Sequence, residues 1–272
     1  MPKYFAPLFI LFVAMTTAHS RADTLVTDIS EDRVAISSIF SGAELLLYGA
    51  IEPEPGRTGP RPRNDIVVVL RGPTEELVVR EKERTAGIWI NRHSVEFALV
   101  PSFYFLASTR RLEDIGDVSE LRAREIGIRY LRMRPKRNAA AGSTTAVGIA
   151  EALAGNLNRY RAAVIRNKKR EGLYREIEGA DDEGVRFRSG TLFRAKLKIP
   201  ANVPVGNHTA EVHLLRDGKI ISTTTKNIFI HKTGVERSIY QFAHRQPLLY
   251  GIAAVLTALF AGWIASVAFR QD

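Results

Sequence analysis

Apolar and polar residues alternate along the last third of the chain, and at the two ends that alternation gives way to unbroken apolar runs. Phe193, Ala195, Leu197 and Ile199 interleave with Arg194, Lys196 and Lys198, which predicts a strand with one buried and one wet face. Ala210, Val212 and Leu214 form the next apolar row. Asp217-Gly218 then supplies the two positive-φ positions of a tight hairpin turn, and Ile220-Ile221 and Ile228 to Ile230 mark the returning strand. Three consecutive antiparallel strands are expected over residues 191–231. Upstream, Val34 and Ile36 alternate with polar neighbours. Leu45-Leu46-Leu47-Tyr48 and Ile66-Val67-Val68-Val69-Leu70 are short apolar runs of the kind that form strands buried on both faces. Leu77-Val78-Val79, Ile88-Trp89-Ile90 and Val95-Glu96-Phe97 continue the series, while the proline- and glycine-rich stretch 52–63 reads as an exposed loop.

Between the β-rich stretches the period changes. Ile149, Leu153, Leu157, Tyr160 and Val164 recur at helix spacing, with Ser143 or Thr144 available as an N-cap, and a shorter helix is expected over 113–125. The pattern therefore predicts a mainly β chain with a helical segment, α+β overall, whose sandwich units resemble immunoglobulin-like modules. Two β units around a helical segment are the favoured arrangement.

The ends fix the address. Lys3, the apolar run 5–15 and the small-x-small triplet Ser20-Arg21-Ala22 make a secretory signal, too short to span hydrocarbon. Residues 247–269 hold no charged side chain over 23 residues, roughly 34 Å of helix, and read as a transmembrane helix. The expected organisation is a signal peptide 1–22, an N-terminal β-rich unit 23–111, a basic helical segment 112–185 and a C-terminal sandwich-like unit 186–233. A juxtamembrane linker 234–246, the transmembrane helix 247–269 and a cytoplasmic tail 270–272 complete it. The signal sets the orientation, so the bulk of the chain is expected outside the cytoplasm.

Charge refines this picture. Formal net charge is +10, yet between Arg122 and Arg170 there are 13 Lys or Arg against Glu125 and Glu151 alone. Residues 171–183 then carry six acids against Arg175. In an exported chain nucleic acid is excluded as the partner, and an anionic envelope component is the alternative ligand for this segment. Arg159, Arg166, Lys169 and Arg170 are the candidate anion contacts; a solvated helix face pairing with the neighbouring acids is the competing reading.

Chemistry is sparse. Cysteine is absent, which removes disulfides, thiolate metal sites and a cysteine nucleophile. His93, His208, His213, His231 and His244 fall in no metal-ligand spacing and are expected at surfaces or edges, His208 and His213 on opposite faces of a strand. Asp181-Asp182-Glu183-Gly184 lacks the alternating ligands of a calcium loop. No catalytic residue, cofactor site or metal site is predicted, and the chain is read as no enzyme.

Several segments together resemble an uncharacterised family of alphaproteobacterial transmembrane proteins. They include Phe40 to Ala50, Gly87-Ile88-Trp89-Ile90-Asn91, Pro101-Ser102-Phe103-Tyr104, Pro204-Val205-Gly206, Gly234-Val235-Glu236-Arg237 and Gly262-Trp263. The resemblance implies a signal peptide, a periplasmic domain and one C-terminal span in the bacterial inner membrane, with no family site residues. It also implies a membrane-protein partner such as a multi-pass transporter. In the span, Ala254, Ala258, Gly262 and Ser266 fall at four-residue spacing beside a second small row, Ala253, Thr257, Ala261 and Ala265. Small residues let helix backbones approach closely in lipid, so this is the expected packing face, for self-association or for a partner. The expectation is a single-pass, non-enzymatic periplasmic accessory or adaptor protein, the alternative being a binding module for an anionic envelope component.

Overall fold

The computed structural model describes residues 23–53, 63–85, 87–136, 146–179, 183–233 and 242–268. The signal segment 1–22, the caps Ser143 and Thr144, the acids Asp181 and Asp182 and the tail 270–272 lie outside them, as does most of the loop 52–63. In chain order the strands are β1 (Thr24–Ile29), β2 (Arg33–Ile36), β3 (Ala43–Glu52), β4 (Asp65–Arg71), β5 (Thr74–Thr85), β6 (Ile88–Pro101) and β7 (Tyr104–Ser108). Helices α1 (Leu112–Ile115) and α2 (Val118–Ala123), a 3-10 turn at Ile128–Tyr130 and the two-residue β8 (Arg134–Pro135) follow. The long helix α3 (Ala146–Arg170) leads to β9 (Tyr174–Glu178), β10 (Val185–Phe187), β11 (Leu192–Ile199), β12 (Gly206–Arg216) and β13 (Lys219–Lys232). Helix α4 (Pro247–Ala268) is the last element.

Two sheets face each other, in the orders β1-β3-β11-β10 and β2-β13-β12-β4-β7-β9. The two β-rich stretches, which the pattern presents as separate units, share both sheets: β3 pairs with β11 along eight residues and β4 with β12 along seven. They are two parts of one sandwich, and the reason is long-range strand pairing that no local period encodes. The stretch 191–231 is likewise not three consecutive antiparallel strands. β11 lies in the four-stranded sheet, and the chain crosses to the other sheet before β12. The β12–β13 hairpin does form, with Asp217 at φ 49° and Gly218 at φ 82° as a turn with two left-handed residues requires.

Burial follows the period of two. Leu45, Leu47 and Ile51 of β3 and Phe193, Ala195, Leu197 and Ile199 of β11 are buried, packing toward Ile66, Val68 and Leu70 of β4 and Ala210, Val212 and Leu214 of β12. β3 is covered on one face only, since Tyr48 is 47% exposed and Leu46 half-buried, contrary to the two-sided burial its leucine run suggests. In β4 that reading holds: Ile66 to Leu70 are all fully buried. Its second face is covered by the excursion after β7, through Leu112, Ile115, Leu121, Ile126 and Ile128. Each buried aliphatic side chain contributes about 1.5–3 kcal/mol relative to exposure. The predicted helix 113–125 is broken into α1 and α2 at Gly116-Asp117, where the Asp117 amide donates to the Gly218 carbonyl at 2.8 Å. A Cβ on Gly116 would sit 2.8 Å from Leu121 Cδ2, so the break also permits close packing.

A third sheet, β5-β6-β8, grows out of the second. Beyond the Arg71–Tyr104 pair, the Gly72 amide donates to Phe103 and the Ser102 amide to Pro73, and the next pair is Thr74–Pro101. The β4–β7 ladder thus runs without a break into the β5–β6 ribbon, which turns at Gly87 with φ 87°. α3 lies along the ribbon, with Leu157 half-buried and Tyr160 and Val164 buried, in agreement with the helical period. Tyr160 donates to Glu81 at 3.0 Å, and Lys168 pairs with Glu75 at 2.5 Å.

Candidate functional site

The residues expected to act outside the sandwich core fall on two helices. In α4 every side chain from Pro247 to Ser266 is uncovered by the rest of the described chain. Ala254, Ala258, Gly262 and Ser266 advance by four residues and so share one side, drifting by only about 40° per step. At Gly251 and Gly262 an added Cβ would meet nothing within 4 Å. Phe260 and Trp263 stack at 6.1 Å on the opposite, bulky side, and Thr257 returns its hydroxyl proton to the Ala253 carbonyl at 2.8 Å. By length and composition this apolar helix is a candidate membrane span.

On α3 the four candidate cations diverge. Arg159 pairs with Glu81 at 3.0 Å, and Arg170 donates to the Asn167 side chain at 2.7 Å. Arg166 and Lys169 are exposed and make no ion pair among the described residues. Arg159, Arg166 and Arg170 lie on the side of the helix opposite the buried Tyr160, Val164 and Lys168. Lys168 is the most consumed of the basic residues: it is 7% exposed and also donates to the Ser102 carbonyl. The acids that follow are engaged too, Glu183 with both Arg175 and Lys198 and Glu176 with the Ile128 amide. Much of the charge run is therefore fold chemistry, with a smaller free cationic face at Arg166 and Lys169.

Two features were invisible in the sequence. The first is a polar network on the covered face of the second sheet. Arg71 Nη1 donates to Glu211 Oε2 at 2.5 Å, while its Nη2 donates to the carbonyls of Arg124 and Glu125 at 2.8 and 3.2 Å. The guanidinium lies 5.9 Å from the Tyr104 ring, whose hydroxyl receives the Gly127 amide at 2.7 Å. Glu125 has φ 56°, so these bonds hold a non-glycine residue in the left-handed region. The His213 imidazole, its Nε2 3.4 Å from Glu211 Oε2, and the neighbouring guanidinium hold Glu211 down, to about 2, against some desolvation. Burial pushes the His213 imidazole below its usual range, and burial does the same to His208.

The histidines correct the sequence reading. His208 and His213 point to opposite faces as expected, but both are buried, at 0% and 1% exposure, rather than at a surface. His208 Nδ1 contacts the Gly206 carbonyl and His213 Nδ1 the Thr223 hydroxyl. A buried polar side chain with a single local partner gives no periodic signal, since its residue type argues for exposure.

The second feature is an open cleft of about 760 Å3 at the end of β13, lined by Ile36, Ser37, Val205, Phe229 and His231. The His231 ring stacks on Phe229 at 5.6 Å and 16°, and its Nδ1 is buried without a hydrogen bond among the described residues. No group of three or more metal-ligating side chains occurs among the described residues.

A family described as "Putative transmembrane protein (Alph_Pro_TM)" matches residues 24–271. No curated protein and no solved structure matches the chain.

Proposed function

Since the chain belongs to that transmembrane-protein family, we propose that it is a single-pass accessory subunit of a bacterial inner-membrane complex, without chemistry of its own. Its signal peptide is removed after Ala22, its β-sandwich stands in the periplasm, and α4 docks on a second membrane protein. The observation that carries this reading is α4: its small side chains gather on one side, and nothing in the described chain covers them. Van der Waals packing of close-approaching backbones is a main source of helix association in lipid, so a segregated small face is suited to a protein neighbour. The same face could join two copies of this chain.

We further propose that the sandwich is immunoglobulin-like. The order β1-β3-β11-β10 corresponds to an A-B-E-D sheet, and β13-β12-β4 to G-F-C, with β7 extending the second sheet. β9 departs from that scheme, because it joins β7 in parallel after the α3 crossover.

A second reading has its own observation. Arg166 and Lys169 stay exposed without an ion pair among the described residues, which suits contact with an anionic envelope component. Binding to anionic vesicles that is lost in high salt and on charge reversal at Arg159, Arg166, Lys169 and Arg170 would favour it.

The accessory reading is tested by purifying the tagged full chain in mild detergent. One stoichiometric membrane partner is expected, and it should be lost when 247–268 is exchanged for an unrelated leucine-rich span. A chimera that keeps its partner and its cellular activity would reduce α4 to a tether. A reporter fused after Asp272 is expected to work only if it is one that functions in the cytoplasm.

A further inference from the structure

We infer that the tip of the β5–β6 ribbon is a second membrane contact, an interfacial anchor that seats Ile88, Trp89 and Ile90 in the headgroup region of the bilayer that α4 crosses.

Three observations converge on it. The first is exposure. Ile88 and Trp89 are 64% and 66% exposed and Ile90 37%, side by side at the end of a ribbon whose last residues, Lys82 to Thr85, are all exposed. Consecutive large apolar residues at a projecting tip are costly in water, and indole is the side chain that most favours the boundary between headgroups and acyl chains.

The second is direction. β4 and β13 both run antiparallel to β12, so both leave the sandwich at the end where β12 begins. Pro73, at the root of the ribbon, lies against Gly206, the first residue of β12, and Gly206 is paired with Ile230 of β13. The ribbon therefore departs from the same end of the domain as the segment that runs to the membrane.

The third is length. The 12 residues of β5 extend the ladder by roughly 40 Å at about 3.3 Å per residue. The chain between Lys232 and Pro247 reaches at most roughly 50 Å when fully extended, and residues 242–245, being helical, shorten that reach. The ribbon and the linker thus span comparable distances, and a domain held by one is within range of the surface through the other. Lys82 and Arg84, exposed just behind the tip on the strand that also carries Glu83, suit phosphate headgroups.

The inference rests on α4 being the membrane span, and the chain's two tryptophans, Trp89 and Trp263, separate the two claims. The full chain is reconstituted into vesicles of phosphatidylethanolamine and phosphatidylglycerol, once as Trp263→Phe and once as Trp89→Phe. Fluorescence is quenched from the lipid side by brominated acyl chains and from the water side by iodide. In Trp263→Phe, Trp89 is expected to be quenched by lipid brominated near the headgroup. Its iodide quenching should be at least about two-fold weaker than that of tryptophan amide in solution, as for an interfacial indole. Adding Ile88→Ser and Ile90→Ser should restore iodide access. Free iodide access with no lipid quenching of Trp89, while Trp263 in Trp89→Phe is quenched by bromine deep in the acyl chains, overturns the anchor and leaves the span intact. Shielding of Trp89 from both quenchers overturns it as well, in favour of a protein covering the tip. If Trp263 also escapes lipid quenching, the span fails and the anchor with it.

Discussion

Arg71→Met should test the buried network most directly, because one guanidinium serves three acceptors. The substitution keeps much of the side-chain volume but leaves Glu211 without its closest cation and removes a donor from the carbonyls of Arg124 and Glu125. Hydrogen bonds to charged groups contribute about 1.5–3 kcal/mol, and breaking one side of a fully buried pair costs about 3–5 kcal/mol. The two side chains retain 20% and 26% exposure, so the expected loss is smaller, roughly 2–4 kcal/mol. For a domain of this size that lowers Tm by roughly 5–15 °C. Thermal unfolding of the full chain in detergent, followed by far-UV circular dichroism, reads it. Glu211→Gln and the double variant complete a cycle with an expected coupling of about 1–2 kcal/mol. Additivity within about 0.5 kcal/mol would mean that Arg71 and Glu211 do not act on each other, and the reasoning would be refuted. The pH profile gives a second check. The folded-state pKa of Glu211 is depressed, so its contribution is present above the unfolded carboxylate range and is lost as pH falls toward about 2. The lowered His213 and His208 act with the same sign, favouring the fold above about 6.5 and less below it. In Arg71→Met the part of that acid-side loss that comes from Glu211 should shrink.

Gly49→Ala should lose about 1–3 kcal/mol in the same melts, since its Cβ would fall 2.2 Å from Phe193 Cζ in a packed core. Lys168→Met should lose about 1–3 kcal/mol by stripping Glu75 and the Ser102 carbonyl of their donor, whereas Lys169→Glu, on the exposed side of α3, should stay within about 0.5 kcal/mol. Ala258→Leu or Gly262→Leu should weaken co-purification of the membrane partner, or self-association seen by crosslinking, while Leu259→Ile on the bulky side should leave it unchanged.

What the sequence discloses here depends on the range of the interaction. The Asp217-Gly218 turn, the apolar run Ile66 to Leu70 in β4 and the stripe Leu157, Tyr160, Val164 are local statements, and each was readable. The leucine run of β3 misled because Leu46 and Tyr48 occupy the outer face of the four-stranded sheet, where apolar residues are tolerated. The partnering of β3 with β11 joins residues roughly 150 apart, and nothing in either strand names the other. On α3, charge alone could not separate Lys168, which the fold consumes, from Lys169 beside it; helix phase and the position of Glu75 were needed. For the ribbon tip, Ile88-Trp89-Ile90 resembled another buried strand until the turn at Gly87 put it outside the core.

The interleaving of the two sheets also dictates when the domain can fold during synthesis. β3 and β4 emerge early, but their partners β11 and β12 come more than a hundred residues later, and β2 waits for β13. Until then β4, with its apolar run from Ile66 to Leu70, has only β7 to pair with and keeps its other edge open to any strand it meets. The last strand to arrive, β13, ends shortly before the apolar helix. Closure of the sandwich and commitment of the chain to the bilayer are therefore nearly simultaneous, and an early strand stays unpaired for as long as synthesis of its late partner takes.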